Sequence, residues 1–350
     1  MGFLDRFLGQ SAPQQTSPSY DLAHREFLLR LSGRTVDKHM AEIWNPHLGS
    51  IDRAIARFVK DGVIREATVA ERIDAAYRVV DLKPILAQHG LKAKGRKADS
   101  ISALLAAIPH AEASKLVGNV RVYRATDLGE QVIAEIRAAQ ETERQTMTEE
   151  ALSHLRKGDV RQAGKVIARY EAAQLFSRGI GIDWSKGMPG PEVDKATYLL
   201  RASYRDLEVP EEQRGEIGPR LALAELLGVS IGDAGKMLLE VTEGCFPCPD
   251  LERYLRGKPT GGFTTEHDPE SPKDLATLYA HTRMFETIAW LDRTRLTSNK
   301  IGEGIKILHN NGDDCSVCHR GKHEFKWSEI DKLPALPRHW GCRCLYLAWI

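Results

Sequence analysis

The stretch "DLKPILAQHGLKAKGRKADSISALL", residues 81–105, places Lys92, Lys94, Arg96 and Lys97 in one short turn between two apolar runs. Leu82, Ile85 and Leu86 precede the turn, and Ile101, Leu104 and Leu105 follow it. Spacings of three and four predict two helices that share an apolar seam across the basic turn. Gly90 supplies the positive φ that ends the first helix, Leu91 drops back into the seam, and Gly95 lets the chain turn tightly. Arg96 and Lys97 then enter the first turn of the second helix. Backbone N–H groups there carry partial positive charge, so cations crowd a place that suits an anion. The plainer reading of the same residues is an αα-hairpin with solvated lysines.

Outside this stretch the composition is ordinary. With 42% hydrophobic and 28% charged residues in 350, the chain can bury more than one core without staples. Its 49 basic and 48 acidic side chains leave a net charge of +1, so any nucleic-acid contact must come from a local patch. No apolar run approaches the ~18 residues of a membrane helix, and no secretory pattern opens the chain. The expectation is a cytoplasmic protein with no membrane partner. Phe3, Leu4, Phe7 and Leu8 share one face of a short helix ahead of a Pro/Ser/Gln-rich tether, read either as a docking peptide or as a frayed end.

The rest reads as mainly α and multi-domain. A tether at 1–19 leads to helices over 20–77, broken at "SGRT" and "NPHLGS", with a Thr68/Glu71 capping box. "VRVY" (120–123) is strand-like and precedes a helix opened by Thr126. Residues 141–178 are helical and charged, and "GIGIDWSKGMPGPEVDK" (179–195) is a breaker. Helices return over 192–240, where "RLALAELLGVSIGDAGKMLLEV" has a helix-turn-helix look that any αα-hairpin shares. The expected division is 20–140, 141–240, 241–310 and 311–350.

The hairpin at 79–108 resembles the SAP domain, a helix-loop-helix module of DNA- and RNA-associated proteins. The matching elements are Asp81-Leu82-Lys83, Ile85-Leu86, His89-Gly90-Leu91, Gly95-Arg96-Lys97 and Leu104-Leu105. The resemblance implies that Lys83, Lys92, Lys94, Arg96 and Lys97 contact phosphates, which positions a nucleic acid without reading its bases. The implied partner is DNA, with RNA the alternative. Ser102 departs from the pattern and leaves the second helix less basic. The flanks "ARFVKDGVIREAT" and "VRVYRATDLGEQVI" resemble the strands of a winged-helix core. On that reading the hairpin sits between two wing strands, with Ile64 a sheet neighbour of Val122 or Tyr123.

Six cysteines fall as Cys245-x-x-Cys248, Cys315-x-x-Cys318 and Cys342-x-Cys344. In a cytosolic chain such pairs point to metal or redox chemistry before structural disulfides. Cys315 and Cys318 form a knuckle, and the later pair can close a zinc tetrahedron; the plainer reading is free buried cysteines. "HWGCRC" (339–344) resembles the end of phage head-morphogenesis proteins similar to the Mu F protein, which makes His339 an alternative to Cys344 as fourth ligand. Cys245 and Cys248 either complete the same site, form half of another with a histidine such as His267 or His281 or a carboxylate, or make a redox or structural pair.

No nucleotide loop, dinucleotide fingerprint or hydrolase elbow is present. The expectation is therefore a non-enzymatic nucleic-acid-binding protein with a structural zinc module. Two alternatives stand beside it: a phage-related assembly protein whose zinc module contacts a protein, and a metal-dependent nuclease using His319, His323 and Glu324.

Overall fold

The computed structural model describes residues 18–93, 95–179, 181–249, 251–252, 271–308, 322–337, 340, 342 and 344–350. The amphipathic start at Phe3–Leu8 lies outside the described residues. The chain is mainly helical and divides into two compact units, one ending at Glu143 and one beginning at Arg144.

In the first unit, α1 (Leu22–Leu31), α2 (Lys38–Leu48) and α3 (Ile51–Lys60) begin at Asp21, Asp37 and Ser50, whose side chains accept from backbone N–H groups three residues on. These helices pack through aromatic rings. Phe27 lies 5.1 Å from Trp44 and 6.2 Å from Phe58, and Tyr20 meets Phe58 edge-on at 5.1 Å. The break expected at "NPHLGS" falls at the end of that stretch, since α2 runs through Pro46 to Leu48 before Gly49 and Ser50 separate it from α3. Gly49, at φ 69°, ends α2 by donating its N–H to the Asn45 carbonyl.

β1 (Ile64–Glu66) pairs antiparallel with β2 (Tyr123–Ala125), and everything between them is helical hairpin and connection. The register is shifted from the expected one: Ile64 faces Ala125, two positions past Tyr123 and three past Val122, and Tyr123 faces Glu66. Val122 accepts from the Ala67 N–H, and residues Ser32 and Thr35 bridge to Tyr123 and Val122. Arg65 therefore stands opposite Arg124 across the ribbon. Beyond the ribbon, α4 (Val69–Ala76), α5 (Val79–Gln88), α6 (Lys97–Ala107) and α7 (His110–Val117) bury a common cluster of Ile73, Leu82, Leu86, Ile101, Leu104 and Val117.

Helix α4 opens with the expected capping box. Thr68 Oγ1 accepts from the Glu71 N–H, and Glu71 accepts from the Thr68 N–H at 2.7 Å. Glu71 is also gripped by both terminal nitrogens of Arg65 at 2.8 Å. The Arg65 hydrogen bonds and the Thr68 cap hold the Glu71 carboxyl down at about 2, against 4.5 for an ordinary glutamate. Because the folded-state value is depressed, its stabilisation is complete above pH ~4.5 and is lost as pH falls through about 2. Glu71→Gln is expected to flatten the acid limb of a stability–pH profile in that window. An unchanged slope of melting temperature between pH 4.5 and 2 would contradict this.

α8 (Asp127–Arg156) follows β2, and Thr126 caps it by accepting from the Gly129 N–H at 3.1 Å. The second unit is a helical assembly of α9 (Val160–Ala173), α10 (Gly190–Arg201), α11 (Glu211–Leu227), α12 (Ile231–Val241) and α13 (Pro272–Asn299). Gly158, at φ 81°, and the Asp159 cap separate α8 from α9, so the helical stretch expected over 141–178 is divided between two helices. One apolar cluster runs from Met147 through Leu221, Leu238 and Cys248 to Tyr279, passing residue 240 without a break. The breaker at 179–195 is held in place, since Trp184 donates Nε1–H to the Arg178 carbonyl at 2.8 Å and carries the Arg178 guanidinium over its ring.

Loss of helical periodicity near the end of the chain corresponds to a small antiparallel sheet in the order β4–β3–β5, with β3 at Gly304–Leu308, β4 at Glu324–Lys326 and β5 at Leu345–Trp349. β3 lies ahead of residue 311, and its Ile305 and Ile307 share a cluster with Ala289 of α13, Phe325 and Tyr346.

Candidate nucleic-acid interface and cysteine segment

The turn of the α5–α6 hairpin is built largely by backbone geometry. Gly90, at φ 70°, donates its N–H to Ala87, and Leu91 donates to Leu86, the two bonds that close a Schellman motif. Leu91 then packs on the hairpin cluster. Gly95 has φ 69°, and a Cβ there would also lie 2.6 Å from Asp99 Oδ2. That carboxylate accepts from the Arg96 N–H at 2.8 Å, making Arg96 the N-cap and Asp99 the N3 residue of α6.

The basic residues are not equivalent. Lys83, Lys92 and Arg96 are exposed, and among the described residues no ion pair involves them. Lys97 is half-buried: its Nζ lies 3.0 Å from Asp74 Oδ1 and also donates to the Asp74 carbonyl. Lys94 lies outside the described residues. The arrangement therefore offers two outward cations, Lys92 and Arg96, at a helix start whose first orphan N–H is already satisfied by Asp99, with Lys83 exposed on α5. Sequence reading overlooked Asp99 as a cap, although an acid three residues after the N-cap is the signal for one. It also missed Asp74, which sits 23 residues before its partner.

Around the turn lies a second set of charges. Arg124 Nη2 is 3.6 Å from Asp74 Oδ2, and its Nε is 3.9 Å from Glu71 Oε1. Together with the Arg65–Glu71 fork, these contacts link α4, α6 and both ribbon strands. Arg124 also lies close against Gly33, where an added Cβ would be 2.5 Å from its Nη1.

In the second unit, Cys342 and Cys344 are both buried, at 1% and 2% exposure, and alternate with buried Tyr346. That period of two turns both thiols to the interior of the small sheet's cluster. Cys315, Cys318 and His339, the other expected zinc ligands, lie outside the described residues. Two inward thiols one residue apart suit half of a tetrahedral thiolate site, and among the described residues no further acid, histidine or cysteine completes a metal group. Cys245 is exposed while Cys248 is packed in the helical core beside Phe246 and Leu251, so that pair does not present two equivalent thiols. His281 stacks on Phe285 at 4.5 Å, and His267 lies outside the described residues.

Of the residues expected for a nuclease, His319 is outside the described residues. His323 accepts at its backbone carbonyl from the Ile307 N–H, which fixes its main chain beside β3, and the Glu324 carboxylate pairs with Lys306 at 3.0 Å. Among the described residues no helix is long and apolar enough to cross a membrane. The chain matches no protein-family model, no curated protein and no solved structure.

Proposed function

We propose that this chain binds nucleic acid, duplex DNA in the first instance, by seating backbone phosphates at the α5–α6 turn. The observation that carries the reading is the exposed, unpaired state of Lys92 and Arg96 beside the start of an 11-residue helix, on a turn whose two glycines hold positive φ. Lys83 on α5, Lys94 and Lys97 complete the phosphate-contacting set. A SAP-like hairpin inserted in a winged-helix-like unit is the architecture that this reading implies. The contacts are to phosphate and carry no base preference of their own.

With about four phosphates neutralised, affinity should fall on the order of a hundredfold between 50 and 200 mM salt. Fluorescence anisotropy of the full chain on a plain duplex tests this. The double variant Lys92→Glu/Arg96→Glu should weaken binding at least ~30-fold, because each reversal replaces an attraction by a repulsion. Both side chains are exposed, so its melting temperature should stay close to that of the unaltered chain. No binding at ~50 mM salt, or binding indifferent to the double variant, would overturn the reading.

The second part of the proposal is a structural zinc held by Cys315, Cys318, Cys342 and either Cys344 or His339. Its support is the burial and shared orientation of Cys342 and Cys344. Four protein ligands would close the site to substrate, giving it a stabilising role and, through the module's surface, a place to contact a protein partner.

A further inference from the structure

We propose that Asp74 competes with nucleic-acid phosphate for Lys97 and Arg124, so that a basic strip running from the α6 start onto the β1–β2 ribbon is partly masked until a phosphate displaces this carboxylate. The inference rests on the nucleic-acid reading above and extends it to a larger surface with a built-in competitor.

The strip follows from the register and the ion pairs. Arg65 and Arg124 are cross-strand partners, and Lys97 approaches them through Asp74. Three cations thus share two carboxylates, Glu71 and Asp74, and one positive charge remains in excess.

The two acids are held differently. Glu71 is committed three ways: it caps α4, it receives the Arg65 fork, and only 26% of its side chain is exposed. Asp74 caps nothing. It sits in the last turn of α4, where the carbonyl end of the helix disfavours a negative charge, and no basic residue of that turn offsets it. Its carboxylate is therefore placed against local preference and is stabilised by Lys97 and Arg124, which come from other elements. At 45% exposure it can also rotate into solvent.

A phosphate oxygen offers the same two cations an equivalent set of charge-assisted hydrogen bonds. It also brings no unfavourable charge to the end of α4. The exchange would leave Asp74 hydrated and add Lys97 and Arg124 to the contacts made by Lys92 and Arg96. A purely structural Asp74 would instead serve to tie α4 to α6, and its loss would weaken whatever the hairpin binds.

The distinguishing experiment uses the full chain and its Asp74→Asn variant, with Asp74→Ser as a second neutral replacement, on two probes: a plain DNA duplex by anisotropy and immobilised heparin by salt elution. The variant should bind duplex about fivefold more tightly at 50 mM salt, the scale of two exposed ion pairs released. Its salt dependence should keep the slope of the unaltered chain, because the bound states make the same phosphate contacts and only the competing carboxylate is gone. Adding Lys97→Gln should cancel the gain. Unchanged or weaker binding by both neutral variants, at temperatures below their melting transitions, overturns the competitor role even when the unaltered chain binds duplex. If neither protein binds duplex but both variants elute later from heparin, the DNA reading falls and the competition for polyanion phosphate or sulfate stands. If elution is also unchanged, both fall.

Discussion

Arg283→Ala is expected to cost the second unit about 3 kcal/mol in denaturant unfolding, toward the lower end of what breaking a buried ion cluster removes. The guanidinium donates to Asp206 at 2.8 Å and to Glu286 at 3.0 Å, while Tyr279 and Tyr198 donate their hydroxyls to the same two carboxylates at 3.0 Å each. It also lies over the rings of Tyr279 and Tyr204, at 5.1 and 5.7 Å. Truncation would leave two carboxylates facing each other's field with only tyrosine donors, and would strip both rings of a cation–π contact. Residual exposure of Asp206 and Glu286, 21% and 28%, places the effect at the lower end of the range. Arg283→Lys keeps the charge without the fork and should lose roughly half as much. A loss below ~1 kcal/mol for the alanine variant would show that the cluster is no brace.

Gly129→Ala should be nearly as damaging to the first unit, on the order of 3 kcal/mol, the upper end for forced overpacking. The new Cβ would lie 1.9 Å from the Val63 carbonyl oxygen and 2.9 Å from its carbon. Those atoms are backbone, and the same carbonyl accepts from the Thr126 N–H at 3.0 Å, so it cannot move without breaking the joint between β1 and the start of α8. Gly62→Ala provides the contrast. Gly62 has φ 72° but nothing within 4 Å of its would-be Cβ, so only conformational strain applies, about 1 kcal/mol. Thermal melts should rank Gly129→Ala well below Gly62→Ala, and the reverse order would refute the packing argument.

The hairpin could be read from sequence because everything that makes it is local: a helical period, two glycines, and leucines three and four apart. That strands flank the hairpin was legible in part: "Asp-Gly" followed by a short apolar run precedes β1, but the expected strand "VRVY" meets β2 only at Tyr123, since β2 runs on to Ala125. The register was not legible, because it depends on which pleat of each strand meets the core around Val63 and Val122. Charge partners were the least visible. Arg283 and Asp206 lie 77 residues apart, and Lys97 and Asp74 lie in different helices. No periodicity announces such meetings. Cys342 and Cys344 were visible as a pair from spacing alone. Their inward orientation needed the sheet, in which β5 continues the alternation through Tyr346.

The ribbon also fixes an order of events. Glu66 and Tyr123 are neighbours in space, yet the whole α4–α7 segment is threaded between them. Closing a loop of that length carries an entropic cost that short-range helical contacts do not have, and it falls once the intervening helices have condensed. The hairpin is therefore expected to form first and to draw the strands together, making the β1–β2 pairing a late step in folding. The same topology brings the entry and exit of the segment to adjacent strand positions, so the hairpin can be acquired, lost or exchanged by a chain that keeps the ribbon and its three leading helices unchanged.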